Sequence, residues 1–420
     1  MNKVTFAVLG VGNRGFVYAT SQLRFPEQME VKAIADTRQA ALDSVQSVLN
    51  LPDSSIYHSA EDLLNQPQLA QVMAICTQDA QHKDHAIRAM ELGYDLLLEK
   101  PIANNLEDIR AIEQKANELG RKVVVCHVMR FAPFYEKIKE LLDSGMAGKI
   151  MNVDASECVS YSHMAHAYVR GHWRRADESS PMILAKCSHD MDLILWLTGK
   201  KCLRLSSFGG LDYFKAENCP EGAPERCEDG CPAEDCPYHA LKFYLPRIPN
   251  WPTNMLHPEP TEENILEILR TTRYGKCVFK QDNDVVDHQT INMLLEDGVT
   301  VTFSMTGFHS RTNRTICIGG TKGEIWGDIA SKKIYWQQYG KERNMIDVSE
   351  AVEANGTGHD GGDTGLMREV IRFFADPNHA STSITTLGRS TESHYVAFAA
   401  EESRLNGGKP IQMEDFIRNI

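Results

Sequence analysis

No apolar run in the chain approaches the roughly 20 residues that a membrane-spanning helix needs. The apolar start Val4 to Leu9 is too short for a secretory core and reads instead as a strand. Basic residues are in deficit: 44 Lys and Arg stand against 57 Asp and Glu, a net charge of −13, with no basic run. That balance makes nucleic acid and anionic membrane poor partners. Paired C-x-x-C knuckles and the even cysteine framework of a small secreted scaffold are also missing. The eleven cysteines are an odd number, and Cys76, Cys126, Cys158, Cys277 and Cys317 are scattered singly. Such usage points to a reduced chain in the cytoplasm. Internal repeats and low-complexity tracts are absent as well. What remains is 420 residues, 42% hydrophobic and 24% charged, enough for two domains each with its own core.

The first 125 residues alternate short apolar runs with longer periodic stretches, the pattern of βαβ units building a parallel sheet. Strands are expected at 4–9, 31–35, 72–76, 95–98 and 123–126, and the helix 107–119 should stop at Gly120. Beyond Arg130 a helix at 133–144 and a strand near 150–160 lead into a polar stretch, 160–180, that reads as a loop. A helix follows at 183–198, and 217–262, crowded with Pro, Cys, Asp and Glu, reads as an irregular insertion. From Lys276 the pattern turns to strands at 287–294, 300–306, 315–320 and 323–327, a largely antiparallel sheet, and then to helices at 363–376 and 391–405. The expected fold is α/β: a doubly wound parallel sheet at 1–126, then an α+β domain at 127–420 carrying the insertion.

Strand 4–9 runs into Gly10-Val11-Gly12-Asn13-Arg14-Gly15 and then into a helical pattern. Glycines so placed allow a tight turn, let the backbone approach a pyrophosphate and permit close helix packing. The helix start then offers free N–H groups to the phosphates. Asp36 follows Gly15 by 21 residues, at the end of the second strand, where an acid can bind ribose hydroxyls. The setting points to NAD. Arg38 could stack on adenine or neutralise an additional phosphate, so NADP is left open.

Strand 95–98 ends in Glu99-Lys100-Pro101, and Thr77-Gln78-Asp79-Ala80-Gln81-His82 follows an earlier strand. With the glycine loop, with Val125 to Phe131, Gly145 to Ile150 and His189-Asp190-Met191-Asp192, the whole chain resembles the glucose-fructose oxidoreductase, inositol dehydrogenase and MocA family. The resemblance implies a Rossmann NAD(P)-binding domain and a second domain with an open, mostly antiparallel sheet that often mediates oligomerisation, here as a homodimer or homotetramer. It also implies hydride transfer between nicotinamide and a sugar or cyclitol carbon. Gly10, Gly12, Asn13, Arg14, Gly15, Asp36, Arg38, Thr77, Asp79, His82, Glu99 and Lys100 would then hold the cofactor.

A lysine at the carboxyl end of a parallel strand faces the crevice where open sheets bind ligands, so Lys100 can stabilise a developing alkoxide. His189, at a helix start, is placed by the resemblance as the acid-base group, and imidazole has a suitable intrinsic pKa. The family's usual aspartate four residues earlier is Ala185 here. Lys186 is the candidate to substitute for it in positioning substrate or tuning His189.

His127, Arg130, Tyr161, Arg170, Trp173, Arg174 and His359 are suited to a hydroxylated ligand, as are His163, His166 and Tyr168. Arg170 and Arg174 beside Trp173 would suit an anionic substrate, and a neutral glycoside bound alongside structural arginines is equally compatible. Cys219, Cys227, Cys231 and Cys236 fall within 18 residues, close enough to close a structural zinc site in a loop with few apolar residues; disulfides or free thiols are the alternatives. Three functions compete: an NAD(P)-dependent oxidoreductase acting on a sugar, sugar acid or cyclitol; an NAD-dependent glycosidase working through a transient keto sugar; and an inactive NAD-binding regulator, against which Lys100 and His189 argue.

Overall fold

The computed structural model describes residues 3–356, 358–376 and 378–420. Its first sheet holds six parallel strands: β1 (Val4–Leu9), β2 (Met29–Ala35), β3 (Ile56–Tyr57), β4 (Val72–Ile75), β5 (Asp95–Leu98) and β6 (Val123–Val125). They lie in the order β3-β2-β1-β4-β5-β6. β4, β5 and β6 are almost wholly buried because helices cover both faces, which is why they read as unbroken apolar runs. The order reverses between β1 and β4, so a crevice opens at the carboxyl ends of these strands. Asp36 follows β2, Thr77 follows β4 and Lys100 follows β5, all at that edge. The helix Leu106–Leu119 is bounded as expected: the Asn105 side chain accepts from the Asp108 N–H, and Gly120 stops it at φ 62°.

The second sheet has nine strands: β7 (Ile150–Ser160), β8 (Cys202–Gly210), β9 (His288–Leu295), β10 (Thr300–His309), β11 (Asn313–Gly320), β12 (Gly323–Asp328), β13 (Lys333–Gln338), β14 (Asn344–Asp347) and β15 (Ile411–Gln412). Their order is β14-β13-β12-β11-β7-β10-β9-β8-β15, antiparallel except where β7 lies parallel to β10. Helices Gly362–Ala375 and Leu387–Leu405 connect this layer to the first sheet. One apolar cluster runs from Phe6 and Tyr18 through Phe131 and Phe134 to Met164, Leu195, Phe303 and Val396, so the two sheets share a core.

Three expectations need correction. The stretch 160–180 is not open loop: it forms helical turns at Tyr161–His163, Met164–Val169 and His172–Arg174. The helix expected at 183–198 is two, Met182–Ala185 and Ser188–Thr198, broken at Lys186 and Cys187. The insertion contains helices Ala240–Tyr244 and Thr253–Leu256, and a third, Glu262–Thr271, starts at its end, opened by a reciprocal cap between Thr261 and Asn264. Cys227, Ala240, Phe243, Tyr244, Ile265 and Leu269 give it a small apolar core of its own.

Candidate active site

The glycine loop between β1 and the helix Asn13–Thr20 has the shape that a pyrophosphate requires. Gly10 sits at φ +85°, and a Cβ there would lie 2.7 Å from the Cys76 carbonyl oxygen. At Gly15 a Cβ would meet the Gly10 carbonyl oxygen at 1.9 Å, so only glycine lets helix and strand approach this closely. Asp36 accepts from the Val11 N–H at 3.0 Å and from Arg38 Nε at 3.1 Å, which fixes a carboxylate beside the loop. These residues fit a dinucleotide: free N–H groups at a helix start, and an acid at the ribose position.

Arg14 has a different task from the one its motif suggests. Its guanidinium donates to Glu99 Oε1 at 2.9 Å, to Asp363 Oδ1 at 2.8 Å and to the Tyr18 hydroxyl at 2.7 Å. Tyr18 in turn donates to the same Glu99 oxygen at 2.5 Å. Burial would raise Glu99, but Arg14, Tyr18 and Lys100 together hold it below the usual carboxylate range. The phosphate loop, the end of β5 and the helix Gly362–Ala375 are thereby joined at one ion network. His359 caps it, with Nδ1 3.0 Å from Asp363 Oδ1 and its ring 6.2 Å from that of His189.

Lys100 leaves the end of β5 and donates from Nζ to the Ala185 carbonyl at 2.8 Å. Ala185 is the last residue before the helix break, so the interruption turns a main-chain oxygen toward the lysine where the resemblance would place a carboxylate. Burial lowers the Lys100 pKa; Glu99 and Asp79 oppose that shift, and the Lys186 charge adds to it. His189 opens the next helix. Its buried Nδ1 has no partner, and burial, then the charges of Lys100, His127, Arg314 and His359, hold its pKa well below the ordinary value. A neutral imidazole with an open nitrogen therefore stands beside an ammonium.

Behind them lies a buried set of charges that the sequence did not announce. Glu157 on β7 is fully buried, pairs with Arg314 of β11 and lies 3.6 Å from Lys186 Nζ. Arg314 also donates to Asp190 Oδ1 at 2.8 Å. Lys186 thus lies beside a carboxylate already held by an arginine.

The model of the oxidoreductase family with an NAD-binding Rossmann fold matches residues 4–127, and that of the GFO/IDH/MocA C-terminal domain matches residues 135–225. The chain belongs to the GFO/IDH/MocA family. It is 24% identical to YteT of Bacillus subtilis over 396 residues, 88% of this chain and 89% of that protein. It is 27% identical to the Bacillus subtilis scyllo-inositol 2-dehydrogenase (NAD(+)) over 221 residues, 50% of this chain and 58% of that enzyme. An oxidoreductase domain protein of Kribbella flavida shares the fold at a TM-score of 0.73 and 16% identity, covering 98% of this chain and all of that one. An Agrobacterium radiobacter oxidoreductase in complex with NAD+, L-tartaric acid and magnesium does so at a TM-score of 0.71 and 14% identity, with 99% of each chain covered. As a GFO/IDH/MocA protein, the chain is an NAD(P)-dependent oxidoreductase.

Several residues singled out in this GFO/IDH/MocA sequence face inward rather than toward the cleft. His82 is fully buried with Nδ1 2.8 Å from the Pro101 carbonyl oxygen and Nε2 3.1 Å from that of Thr77, so it ties two strand ends together instead of meeting the cofactor. Thr77 Oγ1 is 3.0 Å from His85, and Asp79 accepts from Ser180 at 3.3 Å, both at the cleft edge. His127 bonds Ser390 at 2.7 Å, and burial takes its pKa down to about 4. Arg130 is held by Asp192 at 2.6 and 2.7 Å.

Arg170 donates to the Lys276 and Tyr238 carbonyls, and Arg174 makes paired bonds to Asp282 and Glu178. Arg174 is neutralised by its two carboxylates and drops out as an anion receptor; Arg170 is fully buried, bonds only to carbonyl oxygens and keeps Nη1 without a partner. Tyr161 packs edge-on to Tyr238, and Trp173 is 37% exposed.

The zinc expectation is corrected as well. Among the described residues no group of three or more His, Cys, Asp or Glu side chains is arranged to hold a metal ion, and Cys219, Cys227, Cys231 and Cys236 are free thiols. Cys227, Cys231 and Cys236 line a small cavity with Cys277, from outside the insertion. The insertion packs on its own apolar core, which removes the premise that it needed a metal. Glu157 and Arg314 were the missed residues. Each is a charge at an inward position of an alternating strand, and that register was the available signal.

Proposed function

We propose that this oxidoreductase transfers a hydride between a nicotinamide and a secondary alcohol of a sugar, sugar acid or cyclitol. The observation that carries the reading is the placement of the Lys100 ammonium and the unpartnered His189 imidazole together at the carboxyl edge of the parallel sheet. Gly10, Gly12 and Asp36 would hold NAD, which would supply the hydride acceptor for the alcohol carbon. Arg38 leaves NADP as a second candidate. Lys100 has three N–H donors, and the Ala185 carbonyl takes one. The other two can hold the reacting hydroxyl and stabilise the negative charge that develops on its oxygen.

His189, neutral at physiological pH, is fitted to accept the hydroxyl proton at a ring nitrogen. Burial and the charges of Lys100 and Arg314 disfavour the resulting imidazolium, so His189 holds the proton only weakly. Lys186 orients a neighbouring substrate oxygen from the Glu157 side. A small-molecule carbohydrate or cyclitol is the partner this site suits. A dimer or tetramer through the nine-stranded sheet is part of the same proposal, as are a cytoplasmic setting and a division into nucleotide-binding and substrate domains near residue 126.

The test is a screen of free sugars, inositols and aryl glycosides with added NAD, reading nicotinamide reduction and aglycone release in the same wells. Stoichiometric NADH from a free sugar or polyol is the expected result. NAD-dependent aglycone release without net NADH would replace the reading by a glycosidase that returns its hydride. NAD binding with no turnover across the panel would replace it by a regulator.

A further inference from the structure

Of the five tryptophans, two stand among the exposed large hydrophobics, Trp251 at 41% and Trp173 at 37%. Leaving so much indole in water forgoes burial that the others obtain. The pair come from distant segments, yet they flank the same short stretch. The Trp251 ring lies 5.5 Å from that of His163, and Trp173 lies 6.0 Å from Tyr168, whose own ring is 5.8 Å from His163. His166 braces Trp251 from a second side at 5.5 Å and is itself stacked on Tyr274 at 5.3 Å and bonded to the Tyr244 hydroxyl at 3.0 Å.

This row of rings is carried by the turns that directly follow β7. His163 follows the end of β7, six residues after Glu157, the carboxylate beside Lys186. Its imidazole makes no hydrogen bond to another described residue, and after burial the charges of Lys186, Arg314 and Lys100 depress its pKa. The insertion, through Trp251, therefore packs against the segment that follows β7, although its own core lies apart.

We propose that Trp251 and Trp173 form a second sugar subsite, on which the C–H face of a pyranose ring stacks while a glycosidically joined ring is presented to Lys100 and His189. The assignment rests on the carbohydrate reading above and deepens it: the substrate is a glycoside of two or more rings. Flat aromatic faces suit the axial C–H surface of a sugar, and the intervening His163 supplies a neutral ring nitrogen for its hydroxyls. A hydrocarbon ring would gain nothing from that imidazole, which favours a sugar over an aryl group.

The experiment uses the full-length, NAD-loaded protein and the variants W251A, W251F and W173A. The probes are glucose, galactose and galacturonic acid, their disaccharides, and the matching nitrophenyl glycosides. Calorimetric Kd and steady-state KM are both recorded. The expected result is a rise in the disaccharide-to-monosaccharide ratio of Kd and of KM of about tenfold in W251A, as loss of one ring stack predicts. W173A should show a smaller rise in the same sense, and W251F should restore the ratio. Equal effects on one-ring and two-ring sugars, or preferential loss of the nitrophenyl glycosides, would overturn the subsite. Monosaccharide turnover with no disaccharide preference in the unmodified protein would overturn it while sparing the oxidoreductase reading. Disaccharide binding that depends on Trp251 but comes without hydride transfer to any sugar would sink that reading and uphold the subsite. Absence of both overturns both.

Discussion

Replacing Lys100 by methionine keeps the length and most of the packing of the side chain while removing its charge and all three N–H donors. One donor is spent on the Ala185 carbonyl at 2.8 Å, so the loss falls on the two that can meet a substrate oxygen. Removing one donor from a water-poor site of developing negative charge costs about 2.7 to 4 kcal/mol, or a 10²–10³-fold fall in kcat. The change has a second, independent signature. Among the charges acting on His189, that of Lys100 depresses its pKa most, so K100M should raise the His189 titration toward the ordinary imidazole value. Stopped-flow and steady-state rates on the substrate found in the screen give the first number, and NMR titration of the His189 ring gives the second. NAD affinity, measured by fluorescence, should stay within threefold of the parent. Turnover within threefold of the parent, an unmoved His189, or NAD affinity falling in step with turnover would each refute the assignment.

R14Q deprives Glu99 and Asp363 of their shared cation and should cost about 3 kcal/mol by urea denaturation; an unchanged midpoint would show that the network is not a clamp. G10A forces an L-residue to φ +85° with its Cβ 2.7 Å from the Cys76 carbonyl oxygen. It should weaken NAD binding tenfold or more, with a stability loss of about 1–3 kcal/mol, and titration with NAD at intact affinity would contradict this. Burial lowers His127 and His166 from 6.5 to about 4 and His394 to about 3. The unfolded chain then binds protons that the folded one refuses, so stability is full above pH 6.5 and falls as pH drops toward 4. The slope reaches about 1.4 kcal/mol per pH unit for each histidine. A urea midpoint flat from pH 7 to 5 would show that these rings are charged or exposed.

The parallel sheet and its glycine loop were legible because local signals agree there: buried strands, a phosphate turn, Asp36 at the end of β2, and Asn105 and Gly120 bounding a helix. The break at Lys186 and Cys187 was not, since apolar residues recur at helical spacing on both sides of it and that periodicity alone cannot show that the backbone turns to present the Ala185 carbonyl. The pairing of Arg174 was only half visible, because Glu178 lies four residues on but Asp282 lies 108 away, and the carbonyl partners of Arg170 lie 68 and 106 residues away. Trp251 was invisible for the same reason. An insertion dense in Pro and Cys gives no hint of which of its side chains packs against the turns after β7.

The placement of β7 bears on how the protein is made. This strand lies mid-sheet, yet its two neighbours, β10 and β11, begin at residues 300 and 313. A ribosome adding about 5–20 residues per second would expose both edges of β7 for roughly 7 to 30 s before either neighbour emerges. The six-stranded sheet, all of it within the first 125 residues, can close well before that. The nascent chain thus carries a finished nucleotide-binding half beside an unpaired, pairing-competent strand. Synthesis rate and holdase chaperones, more than the stability of the finished fold, would govern how much of this protein reaches its native state.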